Sequence, residues 1–186
     1  MNHHSSHTTF WTTLRNALAL NANFYEDVRN TSKNRRIARI IVFLAALSYM
    51  IGSSVILLIN RATVSILLPA LLFNGLIVIV GYYFWTFVVF KVGQWLKPID
   101  PTYRDLLSPI GFAYAPQVLN FLTLIPLLGQ PIGLILSVWS LLAVIVSVRQ
   151  GLDIRTRWAG LICLLGWIPI QIVIGSVQVL EQELVK

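Results

Sequence analysis

The sequence predicts an all-α integral membrane bundle of five transmembrane helices, with short amphipathic helices at its amino terminus. Three observations carry this reading. Apolar residues make up 56% of the 186-residue chain and charged residues only 11%, with a mean hydropathy of +0.75; soluble proteins carry about a quarter charged residues. Five apolar stretches each come near the roughly 20 residues that a bilayer core requires. Twelve of the fourteen lysines and arginines fall on one side of the membrane if all five stretches cross it, as the positive-inside tendency demands.

Residues 1–9 hold His3, His4 and His7 without a Cys, Asp or Glu nearby to complete a metal site. They read as a tail, and no signal-peptide pattern is present. In residues 10–20, Phe10, Trp11, Leu14, Ala17 and Leu18 recur at spacings of three and four, opposite Thr12, Arg15 and Asn16. That is an amphipathic helix, suited to the headgroup region or to packing on the membrane domain. A turn and a second short helix follow, with Phe24, Tyr25 and Val28 as contacts. Next comes a basic run, Arg29, Lys33, Arg35, Arg36 and Arg39.

The first span is read over residues 37–58, where Ser48 and Gly52 form a small-xxx-small pair that lets another helix approach closely. The second covers 63–90, with Pro69 as a kink site and Tyr82, Tyr83, Phe84 and Trp85 as an interfacial belt. A polar turn at 97–101 leads to the third span, 106–128, which Pro109, Pro116 and Pro126 interrupt. Neighbouring helices can re-satisfy the carbonyls such prolines free. Gly111 and Ala115 form a second small pair there, so this span should be the packing centre, with the Tyr114 hydroxyl bonded to a neighbour. After Gly129, Gln130 and Pro131, the fourth span covers 132–148 and the fifth 158–177. Residues 1–36 thus form a cytoplasmic segment, 37–178 the membrane domain and 179–186 a short exterior tail.

Charge placement sets the orientation. Arg15, Arg29, Lys33, Arg35, Arg36, Arg39, Lys91, Lys97, Arg104, Arg149, Arg155 and Arg157 lie on one side, and only Arg61 and Lys186 on the other. The amino terminus is therefore expected in the cytoplasm and the carboxyl terminus outside or in a lumen. The basic face, chiefly Arg29, Lys33, Arg35, Arg36, Arg39, Arg149, Arg155 and Arg157, suits anionic lipid or an acidic partner. A net charge of +7 placed this way does not suit nucleic acid.

Chemistry is sparse. No charged residue sits mid-span, where proton relays and ion paths need one. Asn74, Gln117, Asn120 and Gln171 read as interhelical hydrogen-bonding groups. Cys163 is the single cysteine, so no intramolecular disulfide forms. No triad, metal helix or phosphate loop is present, so neither enzyme activity nor a cofactor is expected.

One element is more specific: Phe112, Ala113, Tyr114, Ala115 and Pro116, an aromatic-Ala-aromatic-Ala-Pro run. With it stand Tyr103, Arg104 and Asp105 before the third span, then Ile125, Pro126 and Gly129, Trp139 in the fourth, and Gly151, Leu152, Arg157 and Ala159 around the last loop. Phe10, Trp11 and Phe24 add a lead-in. In these marks the chain resembles the YIP domain family of Rab/Ypt-interacting multi-span membrane proteins, and its bacterial branches in lacking a long acidic extension. The resemblance implies five spans, with Tyr103, Phe112, Tyr114, Ala115, Pro116, Pro126, Gly129, Trp139 and Gly151 serving motif and helix packing. It also implies a non-enzymatic scaffold that organises membrane or recruits a partner, homo-oligomers being open to it. The alternative is an accessory or assembly subunit of a larger complex. A small transporter or lipid-handling protein is the outside reading.

Overall fold

A computed structural model describes residues 10–27, 31–59, 63–96, 102–125 and 127–184. The histidines His3, His4 and His7, the polar turn at 97–101, and Val28, Arg29, Arg61, Pro126 and Lys186 lie outside them. The described residues form helices α1 (Phe10–Leu18), α2 (Ala22–Asp27), α3 (Ser32–Ile59), α4 (Val64–Leu96) and α5 (Tyr103–Phe112), a 3-10 helix η1 (Ala115–Leu124), then α6 (Gly129–Leu152) and α7 (Thr156–Leu184). Among them there is no strand.

Local chemistry explains the boundaries. Asn21 Oδ1 accepts the Asn23 and Phe24 amides at 3.1 and 3.4 Å and starts α2. Thr31 Oγ1 accepts the Asn34 amide at 3.2 Å and starts α3. At α5 the Thr102 amide donates to Asp105 Oδ2 at 3.0 Å, the acidic half of a capping box. Asp153 ends α6 in the left-handed region, φ 48°, where its amide reaches the Arg149 carbonyl.

Four segments are long and apolar enough to cross a membrane: Ser32–Ser54, Val64–Trp95, Gly129–Leu152 and Thr156–Val177. The third predicted span corrects the sequence reading. In place of one helix over 106–128, the chain makes a ten-residue α-helix, a turn, and a ten-residue 3-10 helix. Pro116 is the physical reason. In α geometry its ring would clash with the carbonyl of Phe112, and it has no amide hydrogen to donate to that carbonyl. The α-helix accordingly stops at Phe112, and Pro116 sits in the first turn of η1.

This broken element still runs the depth of the bundle. Gly111 lies against Ala38, Phe121 against Ser48, and Gly52 against Asn120 and Thr123, so α5 and η1 follow α3 in the same direction. From Ala38 to Gly52, α3 rises about 21 Å. The stretched 3-10 geometry, about 2.0 Å per residue, lets fewer residues keep pace. The pair Ser48 and Gly52 admits this neighbour, as its spacing predicts, although the neighbour is not an α-helix. Ala115 does not extend the Gly111 face, because the chain turns between them.

The other elements alternate. Gly75 of α4 meets Met50 of α3, and α7 runs back along α4 through the pairs Gly81 with Ile170 and Trp85 with Cys163. Helix α6 leaves Thr123 at Gly129 and returns until Leu152 meets Gly93. The starts of α3, α5 and α7 therefore share one end of the bundle with the ends of α4 and α6. Ile41, Tyr82, Val89, Ile110, Phe112, Val144 and Ile162 are buried between them. Ile40, Phe43, Leu47 and Ile51 on α3, and Leu68, Leu72, Leu76 and Val80 on α4, form exposed apolar stripes. Water would penalise such stripes heavily.

Candidate functional site

Two regions concentrate the singled-out residues: the break in the third predicted span and the basic end of the bundle.

At the break, Phe112, Ala113, Tyr114, Ala115 and Pro116 are all buried. The Phe112 ring packs on Phe24 of α2, with centroids 5.5 Å apart. Tyr114 meets Tyr82 and Trp85 of α4 edge-on at 5.7 and 6.2 Å. Of the two settings that the sequence allows its hydroxyl, a neighbouring span or a polar pocket near Gln117, it lies beside a neighbouring span, at Gly81 of α4. The motif is thus a plug joining the amino-terminal helices to α4.

Below the plug, polar side chains hold the 3-10 backbone in place. The Phe121 amide donates to Ser48 Oγ at 2.7 Å. Gln117 Nε2 donates to the Leu136 carbonyl and to Ser140 Oγ, both at 3.1 Å, while its own Oε1 accepts from Asn120 Nδ2 at 2.6 Å. Thr123 Oγ1 returns a bond to the Asn120 carbonyl at 2.7 Å. These groups satisfy one another and the irregular backbone, which an apolar interior requires.

The remaining motif residues spread out. Tyr103 donates to the Tyr83 carbonyl at 3.3 Å and stacks edge-on against Phe90. Trp139 Nε1 donates to the Leu18 carbonyl at 3.1 Å and ties α1 to α6. Gly129 passes so close to the Thr123 carbonyl that no side chain fits. Gly151 is exposed, and a Cβ there would meet only Leu106 in ordinary contact. In the amino-terminal pair, Tyr25 is buried and donates to the Ala17 carbonyl; burial pushes its phenol pKa up.

At the basic end the cations form two groups. Arg149, Asp153 and Arg155 line an open cleft of about 450 Å³ around the α6–α7 turn. Arg35 and Arg39 of α3 meet Arg104 of α5 around a cavity of about 240 Å³, with Tyr82, Tyr83 and Leu107 completing it. Lys33, Arg36 and Arg157 are exposed and line neither. Sequence reasoning missed Arg104, Tyr82 and Tyr83 as members of one cavity with Arg35 and Arg39. The spacing of four between Arg35 and Arg39 was the available signal. Among the described residues no group of three His, Cys, Asp or Glu side chains could hold a metal.

A family model described as the Yip1 domain matches residues 17–177. No curated protein and no solved structure matches the chain.

Proposed function

The chain belongs to the Yip1 domain family and is an integral membrane protein; from that premise we propose that it serves as a non-enzymatic membrane scaffold. In this reading α3, α4, the α5–η1 pair, α6 and α7 make five crossings. The amino terminus and the basic end face the cytoplasm, and the carboxyl terminus lies outside or in a lumen. The basic face meets anionic lipid or an acidic protein partner.

One observation carries the scaffold reading: the polar side chains around the broken helix are spent on the fold itself, and among the described residues the buried side-chain atoms left without a partner are two serine hydroxyls, on Ser108 and Ser147. Gln117, Asn120, Ser48 and Ser140 bond to each other and to backbone, so little is left to coordinate a transported solute. A transporter site at a broken helix usually offers free polar ligands. Twelve cations on one side, which five crossings would bring about, by contrast suit surface recognition.

Purification of the full chain in mild detergent with mass spectrometry tests this. A scaffold purifies alone or as a homo-oligomer, with partners in variable, substoichiometric amounts. A fixed stoichiometric set of other membrane proteins would replace it with the complex-subunit reading.

A further inference from the structure

The cavity between the start of α3, the start of α5 and the later half of α4 differs from the rest of the basic face. Lys33, Arg36 and Arg157 line no cavity, whereas Arg39 and Arg104, though equally exposed, and the half-buried Arg35 do. Here three arginines from two elements converge on one cavity of about 240 Å³, and no carboxylate lines it. Arg35 and Arg39 stand one helical turn apart on the same face.

The floor is preorganised. Tyr82 is 1% exposed, and its hydroxyl donates to the Leu107 carbonyl at 2.8 Å. That bond ties α4 to α5, the helix that carries Arg104. Tyr83 forms the rim, its ring 4.7 Å from that of Tyr82, and the Tyr103 hydroxyl holds its carbonyl. Guanidinium groups present forked donors that match the oxygens of a phosphate, and a converging set suits such an anion.

The surroundings identify the source of that phosphate. From Tyr83 an exposed stripe of Leu76, Val80 and Phe87 runs along α4 at helical spacing, and Ile40, Phe43 and Leu47 do the same on α3 below Arg39. Apolar surface leading away from a cationic cavity is complementary to a lipid, whose chains would lie on the stripes.

We infer that the Arg35–Arg39–Arg104 cavity binds the phosphate headgroup of an anionic glycerophospholipid at the membrane surface. This deepens the anionic-lipid part of the proposed function and rests on it, but not on the scaffold role. Tyr82 and Tyr83 shape the cavity and the arginines hold the phosphate.

The full chain, purified in detergent, is titrated with phosphatidylglycerol and bound lipid is counted by native mass spectrometry. Arg39→Gln and Arg104→Gln each weaken binding about fivefold, the factor expected for one basic residue at an anionic surface. Arg39→Lys keeps the charge and retains part of the affinity. Arg149→Gln and Arg157→Gln, on the basic face but outside the cavity, weaken binding much less than that. Glycerol 3-phosphate and inorganic phosphate at matched concentrations do not displace the lipid; displacement would identify a soluble phosphate ligand and overturn the lipid assignment. Equal losses for all four Gln variants would overturn the cavity while leaving a diffuse anionic-lipid contact standing. No preference for phosphatidylglycerol over phosphatidylcholine in the wild type would remove both.

Discussion

The hydroxyl oxygen of Ser48 accepts the backbone amide of Phe121 at 2.7 Å, across seventy-three residues of sequence. It joins the middle of α3 to the 3-10 helix, where the chain departs from α geometry. Without it, that amide loses its side-chain acceptor in a partly buried setting.

Ser48→Ala is therefore expected to destabilise the protein by about 1–3 kcal/mol, the cost of leaving a buried donor unpaired. Ser54→Ala is the control. Its hydroxyl only bonds back to the Ile51 carbonyl of its own helix, and it should change stability by no more than about 0.5 kcal/mol. Thermal unfolding in detergent compares the two, and equal midpoints would mean that water or lipid reaches the Phe121 amide.

Glycine substitutions test the close approach of α5 to α3. A Cβ on Gly111 would lie 2.8 Å from the Ala38 Cβ, whereas one on Gly175 of α7 meets nothing within 4 Å. Gly111→Ala should cost about 1–3 kcal/mol through overpacking. Gly175→Ala should be neutral or stabilise by up to about 1 kcal/mol, as helical Gly→Ala changes do in open space. Matched melting curves check the opposite signs.

Trp139→Phe keeps an aromatic ring but removes the donor to the Leu18 carbonyl. The expected effect is local, about 1 kcal/mol. Amide exchange should quicken across α1 and α2 while α3 to α7 keep their protection. Uniform quickening would place Trp139 in the global core instead.

Cys163 is buried, and its backbone carbonyl, not its sulfur, accepts the Trp85 indole at 3.1 Å. Cys163→Ala should thus preserve that bond and cost about 1 kcal/mol for the lost sulfur. Removing His3, His4 and His7 as well should leave expression and melting unchanged. Stoichiometric metal in the wild type, lost in this variant, would contradict that expectation.

The four long helices were legible because continuous apolar length is a local property. The α3, α4, α6 and α7 boundaries follow from caps and charges a few residues away. The small pair Ser48 and Gly52 was legible as a close approach, since spacing alone makes that face flat. The 3-10 helix was not. Hydropathy reads residues 106–128 as one apolar run, and Pro109 and Pro116 look alike in it. Only Pro116 ends the helix; Pro109 sits inside α5. Which backbone groups find partners depends on Ser48, Gln117 and Thr123, placed by tertiary packing. The basic cavity was half legible for the same reason. Arg35 and Arg39 share a face by spacing, whereas Arg104 joins them through the packing of α5 against α3 and α4.

The central claim is that the α5–η1 pair crosses the membrane and sets the side of everything after it. Single cysteines at Thr63, Gln130 and Thr156 in a Cys163→Ala background, labelled with a membrane-impermeant maleimide on sealed cells or vesicles, test it most directly. Five crossings predict that Thr63 and Gln130 label from the same side and Thr156 from the other. If Gln130 is protected where Thr63 labels, and Thr156 labels with Thr63, the α5–η1 pair dips in and returns, and the five-crossing orientation fails.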